Sequence, residues 1–131
     1  LLILYIYPTH KNRSLWITWA FIFGLSLDIL LDTLALHAIV LVFMAYIRPK
    51  MMRIMFGLNF EQKSFRIQQA PLAQRYTFIA AIIILHHLVY FSLEAFSWSK
   101  WLLVLEKTVS TGIMSFIFSL LLITLLSPRR K

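Results

Sequence analysis

The sequence predicts an all-α, polytopic integral membrane helical bundle, and three observations lead there. Of its 131 residues, 60% are hydrophobic, against about 45–50% in soluble domains. The stretch from Ser14 to Ile47 runs thirty-four residues without Lys or Arg. That length suffices for two short crossings at about 20 apolar residues each. Lastly, basic residues gather in short segments between the apolar runs, as expected when they set membrane orientation.

About five crossings are expected, the first truncated. Leu1–Tyr7 reads as the last turns of a helix cut by the start of the chain, ended by Pro8 and a polar stretch to Arg13. No basic region or small-residue cleavage site accompanies it, so it does not read as a signal peptide. A second helix is expected from Ser14 to about Leu31, with Trp16 and Trp19 at the headgroup level. A third spans about Leu34 to Ile47 and stops at Arg48-Pro49, since proline lacks the N–H that continues a helix. A fourth covers Tyr76 to about Ala95 and the last about Leu102 to Leu126. The chain forms one transmembrane domain, with a basic loop at about 48–75.

Charge placement orients this layout. Arg48, Lys50, Arg53, Lys63, Arg66 and Arg75 fall in one loop, and Lys11, Arg13 and the Arg129-Arg130-Lys131 terminus fall on the same side of five alternating crossings. That side is cytoplasmic by the positive-inside rule. The same loop carries Met51, Met52, Ile54, Met55 and Phe56, a mixture suited to an anionic lipid surface or a partner. A net charge of +8 in a chain this apolar points to lipid and topology, and no nucleic acid is expected as a partner. With no cysteine, disulfides and thiolate chemistry are excluded.

Asp28 and Asp32 are the two charges within the Ser14–Ile47 run. Carboxylates there are costly unless paired or wetted, so they belong at the bend between two helices, Asp28 buried and Asp32 wet. Ala20, Gly24, Asp28 and Asp32 recur every four residues and share one stripe. Small residues at that spacing let another helix approach closely, and helix packing is the preferred reading over a substrate or ion site. Thr111, Ser115 and Ser119, following Thr108 and flanked by Gly112, mark a second protein-facing side on the last helix. His86, Tyr90 and Glu94 descend one face of the fourth helix, with His87 beside them. A hydrogen-bonded polar seam is expected there rather than a proton relay or metal site. His37 is placed to bond across the bend to Asp28 or Asp32, the other reading being a lone interfacial histidine. No metal, cofactor or enzymatic chemistry is expected, since no ligand set or catalytic motif is complete.

The strings Gly24-Leu-Ser-Leu-Asp28, Leu34-Ala-Leu-His-Ala38 and Tyr46-Ile-Arg-Pro49 resemble the rod shape-determining MreD family. Its pattern is a Gly-Leu-x-x-Asp helix end, a tight turn, a Gly-Leu-x-Ala-type restart and a basic cytoplasmic loop. The likeness is concentrated in residues 14–50. The family's restart glycine is Ala35 here, and Thr33 stands where proline is common. The resemblance implies a six-crossing inner-membrane protein of bacteria, of which this chain would lack the first crossing and part of the second. It also implies a non-enzymatic scaffold that binds the bitopic protein MreC and joins the cell-elongation machinery. That machinery comprises MreB filaments, the glycosyltransferase RodA and its transpeptidase partner, and acts in peptidoglycan synthesis and cell-shape control. The family is also thought to look like the substrate-binding subunits of energy-coupling-factor transporters. The alternative function is therefore a vitamin-binding transporter subunit, with Asp28, Asp32 and His37 near the outer mouth.

Overall fold

The computed structural model describes residues 12–57, 67, 70–96 and 100–126. Four helices account for nearly all of them: α1 (Arg13–Leu31), α2 (Leu36–Phe56), α3 (Leu72–Ala95) and α4 (Trp101–Leu126). Each packs against the next in chain order. The pairs are antiparallel: Asp28 of α1 meets His37 of α2, and Phe56 of α2 meets Phe78 of α3. His87 of α3 likewise meets Ser115 of α4.

Among the described residues, three helices are long and apolar enough to cross a membrane: α1, α3, and α4 over Trp101–Leu125. Their outer faces carry exposed large apolar side chains, among them Phe21, Phe23 and Ile29 of α1 and Ile113, Ile117 and Phe118 of α4. In a helical bundle whose backbone groups are internally bonded, such faces suit lipid. The protein is a multi-pass, mostly helical membrane protein.

The count of five crossings is corrected to three candidate spans among the described residues. The expected first crossing, Leu1–Tyr7, lies outside them. The expected third crossing does not stop at Arg48-Pro49. It continues as helix to Phe56, with Pro49 inside. Proline removes one backbone bond, the one to the Ala45 carbonyl, and the other bonds of the helix can hold the chain on course. The result is a helix of 21 residues whose second half carries Arg48, Lys50 and Arg53. Its apolar part, Leu36–Ile47, covers about 18 Å at 1.5 Å per residue, well short of a bilayer core of about 30 Å.

The basic loop at 48–75 is corrected on the same ground, since its first nine residues are helical. Met52 and Phe56 are buried there, in the core with Met44, Phe78, Ile79 and Ile82. They therefore do not lie on a lipid surface. Arg48, expected at the lipid or cytoplasmic surface, is buried, with its guanidinium 5.9 Å from the Trp16 ring centroid. It follows Met44 and Ala45 along the inward face of α2, so continuing the helix turns it inward. Lys50 and Arg53 are exposed and Arg75 half-buried, whereas Lys63 and Arg66 lie outside the described residues.

Candidate functional site: the polar joint between α1 and α2

The buried residues of α1 are Trp16, Ala20, Gly24 and Asp28, a single stripe at four-residue spacing. It faces α2 of the same chain. A methyl group added at Gly24 would lie 2.5 Å from the Ala38 Cα and 2.9 Å from the His37 carbonyl oxygen. Those are backbone atoms, so the two helices touch main chain to main chain at this level, and only glycine fits.

One turn further on, Asp28 closes the bend. Its Oδ1 accepts from the Thr33 hydroxyl at 2.6 Å and from the His37 backbone N–H at 2.9 Å. Its Oδ2 accepts from the Ala38 backbone N–H at 2.9 Å. These two amides belong to the first turn of α2, where N–H groups have no partner within the helix. The residue in the cap position is Ala35, which has no side chain able to serve. Asp28 therefore caps α2 from the preceding helix, placing a carboxylate where the helix dipole favours one. His37 Nδ1 lies 3.0 Å from Asp28 Oδ1 and 3.0 Å from the Thr33 Oγ. An ionised carboxylate only accepts, so the Asp28 contact calls for the tautomer with hydrogen on Nδ1.

The backbone of the bend is wound tightly to allow this. Asp32 (φ 53°) and Ala35 (φ 57°) both adopt the left-handed conformation, at a cost of about 1–2 kcal/mol each for an L-residue. Ala35 takes the conformation that a glycine would take without strain. The Asp28 carbonyl accepts from the N–H groups of both Asp32 and Thr33.

Of the residues singled out in the sequence, the joint brings together Ala20, Gly24, Asp28 and His37. Asp32 stays exposed, its carboxylate outside the joint. Thr33 was missed. Its signal was available, a hydroxyl in the turn just beyond a buried acid, but a turn threonine is common enough to carry little weight alone.

The α3–α4 contact is of a different kind. His87 Nε2 lies 2.9 Å from the Ser115 Oγ, and Thr108, Gly112 and Ser119 are buried along the same side of α4. Thr111 is exposed, its hydroxyl donating to the Lys107 carbonyl at 2.5 Å on its own helix. The spacing included it, but it sits off the buried side, which Gly112 occupies instead.

The hydrogen-bonded seam expected along His86, Tyr90 and Glu94 is corrected. Four-residue spacing stacks the His86 and Tyr90 rings, 6.5 Å apart and 13° from parallel, without joining nitrogen to oxygen. His86 Nδ1 is buried without a hydrogen-bond partner, as is the Thr108 Oγ. Tyr90 meets the His37 ring at 4.8 Å, linking this row to the joint, while Glu94 forms an exposed pair with Lys107 at 3.3 Å. Among the described residues, no group of three or more His, Asp and Glu side chains could hold a metal ion.

Helices and joint together define a multi-pass membrane protein built around a hairpin with a buried carboxylate cap. Comparison with protein-family models, curated proteins and solved structures returns no significant match.

Proposed function

We propose that the chain is a non-enzymatic scaffold of the bacterial cell-elongation complex, the role implied by the resemblance of residues 14–50 to the MreD family. In this reading it sits in the inner membrane and binds an MreC-like bitopic protein. Through that protein it links cytoplasmic MreB filaments to the elongation glycosyltransferase and transpeptidase, with its basic segments toward the cytoplasm and anionic lipid.

One observation supports the reading most directly. Gly24 and Asp28, on which the resemblance turns, are the two residues that hold the α1–α2 hairpin closed. A short helix end followed by a tight restart therefore has a structural purpose in this chain. Since α2 of the same chain occupies the small-residue stripe, a partner helix would use the outer faces of α1 and α4. The transporter alternative gains nothing from the joint: both Asp28 oxygens are engaged, and His37 is 16% exposed at its side chain.

Co-expression with an MreC-like protein tests the proposal. The tagged chain should retain it in detergent, and photo-crosslinkers at exposed Phe23 or Ile117 should trap it. Failure to co-purify when both proteins insert, or saturable thermal stabilisation by a vitamin-like ligand, would overturn the scaffold reading. Because the natural sequence has no cysteine, single cysteines at Lys50 and Asp32 report orientation. Labelling of the Lys50 position from the periplasm would reverse the assigned topology.

A further inference from the structure

On the outer side of the hairpin, α1 and α2 leave an open groove of about 450 Å³, walled by residues that include Ile17, Phe21, Ile39, Val42, Phe43 and Tyr46. No polar side chain other than the Tyr46 phenol lines it. It runs from Ala35 at the bend to Tyr46, eleven residues along α2, or about 16 Å at 1.5 Å per residue. A bilayer core is about 30 Å thick, so the groove matches one leaflet and is too short to seat a crossing helix along its length.

Its far end is cationic. The Arg13 guanidinium lies 4.6 Å from the Tyr46 ring centroid and donates to the Tyr46 carbonyl at 3.5 Å. Lys50 follows Tyr46 by four residues in the same helix, hence on the same face, and is exposed, as Arg13 is. An apolar slot one leaflet long that ends in two exposed cations has the chemistry of a single lipid: hydrocarbon along its length and negative charge at its mouth.

We propose that this groove binds one anionic phospholipid, an acyl chain lying against Phe21, Ile39 and Phe43 and the phosphate held by Arg13 and Lys50. The site requires only that the bundle sits in a bilayer. Lipid there neither requires nor excludes a bitopic partner on another face, so failure of either proposal leaves the other standing.

Native mass spectrometry of the full chain, released from nanodiscs of equal phosphatidylglycerol and phosphatidylcholine, tests the site. The expected spectrum shows one retained phosphatidylglycerol per chain. Ile39→Trp, at a position 52% exposed, fills the groove without disturbing the core and should abolish that adduct. Arg13→Gln with Lys50→Gln should reduce the preference for phosphatidylglycerol by about fivefold or more, as loss of basic residues near an anionic surface weakens attraction. These two side chains are exposed, so the charge variant decides the matter even if the tryptophan variant fails to fold. Equal retention of both lipids by the natural chain would overturn the proposal. So would unchanged adducts in both variants, or a lipid-free dimer in place of the adduct.

Discussion

The two helix contacts at either end of the bundle use the same residue types to opposite effect. Between α1 and α2, the Asp28 carboxylate, the Thr33 hydroxyl and His37 Nδ1 all have partners, and Gly24 admits no added atom. On the α4 side of the α3–α4 contact, Thr108 buries its hydroxyl oxygen without a hydrogen bond. A methyl group at Gly112 would meet only the Ile83 Cγ2 at 3.9 Å, an ordinary contact. Small and polar residues at helical spacing thus mark a protein-facing side in both places, but only the first contact depends on them atom by atom. Where water is scarce, an unpartnered buried donor or acceptor costs about 1–3 kcal/mol. The Asp28 carboxylate and the groups that donate to it avoid that cost, whereas the Thr108 hydroxyl oxygen on α4 bears it.

Substitutions at matched positions put this contrast at risk, and the largest effect is expected at Gly24. Gly24→Ala drives a methyl into the main chain of α2, and overpacking against atoms that cannot rotate away costs about 3 kcal/mol or more. Denaturant titration in detergent, followed by fluorescence of buried Trp16, should register the hairpin opening. A variant as stable as the natural chain would show that the helices lie farther apart than described. Asp28→Leu should come next, at about 2–4 kcal/mol. It removes a helix cap worth about 0.5–2 kcal/mol and strands the amides of His37 and Ala38. Hydrogen exchange at those two amides should rise first, and unchanged protection there would dispose of the capping role.

On the other side of the comparison, the expected effects are small. Ser115→Ala removes the contact with His87 and should cost about 0.5–1.5 kcal/mol in the same titration; a loss as large as that of Asp28→Leu would erase the contrast between the two contacts. Gly112→Ala should have the smallest effect and the opposite sign from Gly24→Ala. It stabilises by up to about 1 kcal/mol, because alanine is the better helix former and the space accepts it. Loss of stability there would mean that α4 approaches α3 as closely as α2 approaches α1.

Much of the joint was legible in the residues. A glycine and an acid four apart, set in an uncharged run, announce a close helix contact and a carboxylate that needs partners. The expectation that Asp28 is buried and Asp32 wet agrees with the structure. What could not be read was the identity of the partners. The amides that Asp28 caps belong to every sequence alike, and their exposure depends on Ala35, a residue that offers no cap of its own. The α3 row was misread because spacing aligns side chains without deciding whether rings stack or atoms bond.

Composition and periodicity by themselves determined that this is a helical membrane protein. They also determined which faces are small and polar and roughly where the helices begin, since those properties follow from burial cost and a fixed helical repeat. Tertiary structure alone decided that α2 runs on through Pro49, because the inward face formed by Met44, Arg48, Met52 and Phe56 finds Trp16 and Phe78 to pack against. It also decided that the small-residue stripe of α1 is spent on its own neighbour. Neighbouring contact, summed over many atoms, outweighs the local preference of one proline or one basic residue to end a helix.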